Sequence, residues 1–129
     1  MSDIVIDASC VLSVLLNHED GQDVIDKVGD SQLVAPACLP YEIGNAVSKL
    51  IKRGVLSVVD GAEVYHEFAR IPVRFVDPDI TASIVIAGET DSYAYDCYYL
   101  NVAEQMGLPL FTYDEKMKET AVVRGIQCL

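Results

Sequence analysis

Four acidic residues lie where the local sequence gives them more than an ordinary surface role, namely Asp7, Glu42, Asp96 and Asp114. Three or four carboxylates in one pocket form a set of hard oxygen ligands. Such a set suits Mg²⁺ or Mn²⁺ and leaves coordination positions for water and a substrate phosphate. The four acids are far apart in the sequence, so the elements that carry them decide whether this chemistry is available.

Two of these acids follow strand candidates. Asp7 comes directly after the run 4–6, and Asp114 follows the run 110–112 after one intervening residue. The carboxyl ends of parallel strands meet at one edge of a sheet, where open α/β sheets bind ligands. Each acid also precedes a helix candidate, so N-capping is an alternative role, shared with Ser9 in the case of Asp7.

The other two acids fall on helix candidates. Asp96 shares a helical face with Leu100 and Ala103, where a carboxylate is costly to bury unless it is paired, ligates a metal or is hydrogen-bonded to a neighbouring turn. Glu42 lies in the first turn of a helix expected over 40–53, a place that the helix dipole alone favours for an acid. Each acid therefore has an ordinary explanation, and only their combination indicates a metal pocket.

The elements around these acids alternate between short β-rich runs and longer segments of helical period, a pattern typical of an α/β domain with a mainly parallel sheet. Strands are expected at 4–6, 33–35, 73–76 and 110–112, with a weak fifth at 125–127, and helices near 10–16, 21–29, 40–53, 60–70, 79–87, 93–106 and 115–123. We predict a single domain over residues 1–129, with a central sheet of four or five strands flanked by helices.

Charge limits how this chain could meet a nucleic acid. Its 129 residues include 20 acids against 9 bases, for a net charge of −11. Phosphates and surface carboxylates repel each other, so binding by general phosphate neutralisation is excluded. A divalent cation inverts the local sign, and an acidic protein can still meet a phosphate through one.

Further features favour a cytoplasmic protein with no membrane segment. The first basic residue is Lys27, so no positively charged region opens the chain, and no apolar run approaches the ~20 residues of a membrane span. The four cysteines form no C-x-x-C pair and are interpreted as packing thiols. His18 and His66 stand apart from any cysteine or acidic motif, which opposes a zinc site.

Other common catalytic motifs are missing from the sequence. It contains no G-x-x-x-x-G-K-[ST] loop, no G-x-G-x-x-G and no G-x-S-x-G. Nucleotide-dependent phosphoryl transfer and serine hydrolase chemistry therefore lack their usual machinery.

The order of the acidic motifs is itself informative. The segments are 4–9 (IVIDAS), 41–46 (YEIGNA), 92–100 (SYAYDCYYL) and 111–114 (FTYD). In this order and spacing the chain resembles a PIN domain, and in particular the small single-domain ribonucleases of toxin–antitoxin pairs, the VapC-like toxins. The resemblance covers essentially the whole chain.

This resemblance assigns roles to individual positions. The acids Asp7, Glu42, Asp96 and Asp114 match the family's acidic quartet around Mg²⁺ or Mn²⁺. Supporting polar residues match as well: Ser9 and Thr112 correspond to small hydroxyl residues that flank the first and last acids, and Asn45 to a frequent polar neighbour of the helical acid. The bases near the motif helices form a candidate phosphate-binding rim, with ordinary solvated helix faces as the alternative: Lys49, Lys52, Arg53, Lys116 and Lys118.

The resemblance further implies a metal-dependent endoribonuclease that hydrolyses RNA phosphodiester bonds to leave a 5′-phosphate and a 3′-hydroxyl. It also implies a small cognate antitoxin as partner and a homodimer. One alternative is a PIN-fold RNA-processing or RNA-binding protein that is not a toxin. Another is an aspartyl-phosphate protein of the receiver or phosphatase type. The second is opposed by Ser9, because such phosphatases carry a second Asp two residues after the nucleophile.

Overall fold

A four-stranded parallel sheet forms the centre of the protein in the computed structural model, which describes residues 2–129. Its strands are β1 (Asp3–Ile6), β2 (Gln32–Pro36), β3 (Val73–Val76) and β4 (Leu110–Phe111), in the order β3-β2-β1-β4. Every neighbouring pair is parallel. The predicted α/β class with a parallel sheet is confirmed.

Seven helices connect and flank these strands. They are α1 (Ala8–Leu15), α2 (Gly21–Val28), α3 (Leu39–Lys52), α4 (Val58–Ala69), α5 (Ile80–Thr90), α6 (Ala94–Met106) and α7 (Glu115–Val123). Side-chain caps begin four of them, namely α1, α4, α5 and α7. Asp79 accepts a hydrogen bond from the backbone N–H of Ala82 at the start of α5, and Gly107 ends α6 with a left-handed backbone at φ 65°.

The predicted fifth strand at 125–127 is wrong. Only an isolated bridge forms there, between Leu110 and Cys128. Gly125 has φ 74°, which turns the backbone away from an extended path directly after α7. The neighbouring strand β4 is two residues long, so it offers little length for further pairing.

Helices pack against the sheet and cover its apolar side chains. Ile6 and Leu33 border an apolar cavity between the sheet, α1 and α2. Helix α6 packs against β1, β2 and β4, and its buried face includes Leu100 and Ala103. These are the two residues with which Asp96 was expected to share a helical face, and both are buried.

Two other expectations concern the whole chain. All four cysteines are free; Cys10 and Cys97 are buried, whereas Cys38 and Cys128 are partly exposed. Among residues 2–129, none of the helices combines the length and the apolar character that crossing a membrane requires.

The contact between α1 and α2 supplies a stability test at Gly21. A Cβ atom added there would lie 2.8 Å from the backbone oxygen of Ser13, a clash that only a backbone shift can relieve. We expect Gly21→Ala to lower the free energy of unfolding by about 1–3 kcal/mol, as overpacking does, in a urea titration.

The control for this test is Gly88→Ala in α5. A Cβ atom at Gly88 would meet no atom within 4 Å, so this variant should be more stable than the wild type by about 0.5–1 kcal/mol. Equal stabilities for the two variants would contradict the close approach of α1 and α2.

Candidate active site

The topology brings the four predicted acids to one edge of the sheet. Asp7 and Asp114 follow β1 and β4, which are neighbouring parallel strands. Glu42 lies in the first turn of α3, which begins just after β2 ends. Asp96 lies in the first turn of α6, whose other end leads into β4, so its start also lies toward the carboxyl edge.

Asp7 is the most buried of these acids, with 4% of its surface exposed. Its Oδ1 accepts hydrogen bonds from the Ser9 hydroxyl at 2.6 Å and from the Cys10 backbone N–H at 3.2 Å. Its Oδ2 accepts one from the Thr112 hydroxyl at 2.5 Å. Burial raises the pKa of Asp7, and these three donors partly offset the rise because they favour the ionised form.

The same two hydroxyl groups hold the loop that carries Asp114. The backbone N–H of Tyr113 donates to the Ser9 hydroxyl at 3.3 Å, and that of Asp114 donates to the Thr112 hydroxyl at 3.0 Å. Ser9 and Thr112 therefore connect the carboxylate of Asp7 to the backbone after β4. This linkage is consistent with the supporting positions predicted for both residues.

Asp114 also caps a helix. Its Oδ1 accepts from the backbone N–H of Met117 at 2.9 Å, and its side chain is exposed. Asp7 does the same for α1 through Cys10. The capping role and the place at the sheet edge thus coexist in both acids, because a cap can use one carboxylate oxygen and leave the other for a different partner.

Glu42 is partly buried and contacts a thiol. Cys38, one turn earlier along the chain, donates to Oε1 of Glu42 from its Sγ at 3.2 Å. Burial raises the pKa of Glu42, the hydrogen bond from Cys38 lowers it, and the charges of Asp7 and Asp96 raise it further. Burial and the neighbouring carboxylate in turn raise the pKa of the Cys38 thiol to about 12, so the thiol remains a donor at neutral pH.

The other acids also act on the pKa of Asp96. Burial raises its pKa, and the charges of Asp114 and then Asp7 raise it further, whereas Lys116 partly offsets them. Each of the four acids thus acts on, or is acted on by, at least one other, and together they form one electrostatic cluster. We call this set of Asp7, Glu42, Asp96 and Asp114 the acidic cluster.

As they stand, the carboxylates do not close around a metal position. Within residues 2–129, no three His, Cys, Asp or Glu side chains are arranged closely enough to hold a metal ion. The donor chemistry nevertheless fits a hard divalent cation, because oxygen ligands of like charge repel each other and a cation between them relieves that repulsion.

The five predicted rim bases occupy different surroundings. Lys116 donates to the backbone oxygen of Asp91, and its positive charge lowers the pKa of Asp96. Lys49 lines a cavity that also contains Glu42. Lys118 pairs with Glu115 at 3.5 Å. Lys52 and Arg53, at the far end of α3, make no contact with the acidic cluster among the described residues, and Lys52 lines a groove between α3 and α4 instead.

One buried group at the site was missed by sequence reasoning. Tyr99 is 1% exposed, and its hydroxyl lies near Glu42 and Cys38 but forms no hydrogen bond of normal geometry among residues 2–129. Burial, followed by the charge of Glu42, raises the pKa of this hydroxyl. Helical spacing could have indicated Tyr99 as a neighbour of the acids, because it lies three residues after Asp96. The same holds for Cys38, which lies four residues before Glu42.

The unpartnered hydroxyl leads to a prediction about stability. A buried donor without a partner costs about 1–3 kcal/mol, and Tyr99→Phe removes that donor while keeping the ring. We expect this variant, studied without metal, to be more stable than the wild type by on the order of 1 kcal/mol in urea unfolding.

Tyr98→Phe is the matched control on the same helix. Tyr98 is partly exposed and packs edge-on against the ring of Tyr95 at 5.6 Å, so removal of its hydroxyl should leave stability nearly unchanged. A clear loss of stability in Tyr99→Phe alone would show that its hydroxyl is hydrogen-bonded in the folded protein.

Comparison with known proteins places this arrangement in a family. The chain is 28% identical over 118 residues to the ribonuclease VapC12 of Mycobacterium tuberculosis, a match that covers 91% of each protein. Among solved structures, the fold is similar to PAE2754 from Pyrobaculum aerophilum, with a TM-score of 0.74, 23% identity and coverage of 98% of this chain and 90% of that one.

A second solved structure extends the likeness of fold. VapBC2 from Rickettsia felis, bound to a DNA fragment from its promoter, matches with a TM-score of 0.66 and 11% identity over 98% of this chain and 97% of that one. The model of the PIN domain matches residues 4–123, a range that includes all four members of the acidic cluster. This protein therefore belongs to the PIN-domain family.

Proposed function

We propose that the protein is a divalent-metal-dependent endoribonuclease, and that it acts as the toxin of a toxin–antitoxin pair. The observation that carries this proposal is the acidic cluster at the carboxyl edge of the sheet, where the charges of neighbouring carboxylates raise the pKa of Glu42 and Asp96. The ribonuclease named among its relatives supports RNA as the substrate.

The proposed metal ligands are Asp7, Asp96 and Asp114, with Glu42 as a further ligand or as the group that orients the attacking water. A bound Mg²⁺ or Mn²⁺ would supply an activated water and stabilise negative charge on the scissile phosphate. The chain itself supplies the positioning: Ser9 and Thr112 hold Asp7, and the Met117 backbone N–H holds Asp114.

The net charge of −11 gives the metal a second purpose. Without a cation, the acidic cluster repels the phosphate that it must contact. A divalent cation reverses the sign of the potential at that point only, so RNA would approach productively at the sheet edge and be disfavoured over much of the remaining surface.

An antitoxin and a homodimer belong to the same proposal. The partner we expect is a small basic protein whose Arg or Lys reaches the acidic cluster, because a guanidinium can pair with two carboxylate oxygens and substitute for the charge of the metal. Such a partner would inhibit by occupying the site. The second copy of the chain is expected on the basis of family likeness.

The alternative of an aspartyl-phosphate protein is disfavoured. Phosphatases of that type carry a second Asp two residues after the nucleophile, whereas this chain has Ser9 there, whose hydroxyl donates to Asp7. A PIN-fold protein that binds RNA without cleaving it would have the same fold, so cleavage is what must be measured.

The first test measures cleavage by variants of the acidic cluster. Asp7→Asn and Asp96→Asn keep the shape of the side chain and remove its charge, so each should abolish Mg²⁺-dependent RNA cleavage, with a loss of about 100-fold or more. Their circular-dichroism spectra should match that of the wild type, because Asn also caps a helix at position 7 and Asp96 caps none.

Glu63→Gln serves as the control for this assay, because Glu63 is exposed on α4 and should leave the rate nearly unchanged. Full activity of Asp7→Asn would remove that residue from the proposed site. Inactivity of the wild type with both Mg²⁺ and Mn²⁺ on cellular RNA would favour the binding protein over the nuclease.

The second test measures metal binding through stability. In chelator at pH 7.5, Asp96→Asn should melt a few degrees higher than the wild type, because it removes one charge from a cluster of like charges. Mn²⁺ at 100 times its dissociation constant should stabilise the wild type by about 2.7 kcal/mol and the variant much less.

Glu63→Gln should respond to Mn²⁺ as the wild type does, since it lies outside the acidic cluster. If the wild type and Asp96→Asn melt at the same temperature in chelator and gain equally from Mn²⁺, these carboxylates do not form one metal pocket.

A further inference from the structure

Next to the acidic cluster lies a cavity that the proposed chemistry does not use. It has a volume of about 420 Å³ and lies between α1, the first turns of α3 and the start of α6, with Glu42 on its border. The cavity and the acidic cluster thus share one side chain, that of Glu42.

The walls of the cavity are aromatic and apolar. Tyr41 from α3 is 79% exposed and Tyr95 from α6 is 59% exposed, while Ala8 and Leu12 of α1 add an apolar surface. The ring of Tyr95 packs edge-on against Tyr98, with an interplanar angle of 79°, and this contact holds its orientation. Two bare aromatic rings on one cavity can stack on a planar ligand, a geometry that recurs where proteins bind unpaired bases.

The polar groups of the cavity are unengaged. The side chains of Asn45 and Lys49 are exposed and line the cavity. Within residues 2–129, neither the amide of Asn45 nor the ammonium of Lys49 has a hydrogen-bond or ion-pair partner. An amide offers a donor and an acceptor to the edge of a base, and an ammonium attracts a phosphate.

Three of these groups lie on one face of α3. Tyr41, Asn45 and Lys49 are spaced four residues apart, so they share one helical face over about 12 Å, beginning beside Glu42. Stacking and base-edge groups thus come first from the acidic cluster, and the cation comes last.

We propose that Tyr41, Tyr95, Asn45 and Lys49 form a subsite for an unstacked base of single-stranded RNA, next to the phosphodiester held at the acidic cluster. This inference rests on the proposed nuclease function and specifies its substrate as RNA with an unpaired nucleotide beside the cut. The two exposed rings of Tyr41 and Tyr95 favour RNA as the occupant, because they offer faces on which a planar base can stack, and Lys49 can pair with its phosphate.

The test uses short single-stranded RNAs that carry one 2-aminopurine, whose fluorescence falls when the base stacks on an aromatic ring. Binding is titrated at low salt with the wild-type chain in Ca²⁺, a hard cation that carboxylates bind, and with the Asp96→Asn chain in Mg²⁺, in which cleavage is expected to be lost. We expect quenching with single-stranded RNA and much less with the same sequence in a duplex, whose bases are already stacked.

Variants then locate the stacking surface. Tyr41→Ala and Tyr95→Ala should each weaken RNA binding about 5- to 100-fold, the range measured for loss of one base–aromatic contact. Tyr41→Phe keeps the ring and should bind within about twofold of its parent. Tyr93→Ala is the matched control, because Tyr93 is 85% exposed at the start of α6 but does not line the cavity.

Three results would overturn the subsite: no quenching in either protein, an equal effect of Tyr93→Ala, or duplex and single-stranded RNA bound alike. It would also fall if both alanine variants bind RNA normally but lose a basic protein partner, which would make the cavity a peptide site. Stacking is read from binding and the nuclease function from Mg²⁺-dependent cleavage, so either idea can fail without the other.

Discussion

The burial of one negative charge organises the candidate site. Asp7 lies at the end of a central strand with 4% of its surface exposed, a position that costs several kcal/mol unless the carboxylate is hydrogen-bonded. Its three donors come from both sides of the sheet edge: Ser9 and Cys10 begin α1, and Thr112 follows β4. The two hydroxyls then accept from the loop before Asp114. The network that stabilises the buried charge therefore also sets the position of its neighbour.

Hydrogen bonds satisfy Asp7, but they do not remove the repulsion within the acidic cluster. The pKa values of Asp7, Glu42 and Asp96 are all raised, with burial as the largest cause in each case. A carboxyl whose pKa is higher in the folded than in the unfolded chain binds more protons when folded, so its contribution to stability falls as the pH rises above the ordinary carboxyl range near 4. At neutral pH the ionised carboxylates of the metal-free site therefore lower the stability of the fold. A bound cation would offset their repulsion.

The sequence was a good guide wherever the determining interaction is local. A β-rich run followed by an acid and then a helical period located Asp7 and Asp114, and the seven helices were expected within a few residues of their observed bounds. Local signals failed at 125–127, where a positive φ at Gly125 leaves a single bridge. They also failed for Cys38, which was interpreted as a packing thiol but donates to Glu42, and for the unpartnered hydroxyl of Tyr99. Helical spacing places Cys38 next to Glu42 but does not say whether the thiol packs or donates. The surroundings of the Tyr99 hydroxyl depend on tertiary packing, which short motifs do not specify.

The double use of two acids as helix caps affects how this site would decay if selection for its chemistry were lost. Asp7 and Asp114 each begin a helix, so a descendant without activity would still be selected for Asn, Ser or Thr at both positions. Glu42 and Asp96 cap no helix, and their neighbours would be better packed by apolar or amide side chains once the charge had no use. The four positions should therefore diverge differently. A lineage that kept the fold after losing its chemistry would retain short polar residues at 7 and 114 and would carry apolar or amide residues at 42 and 96.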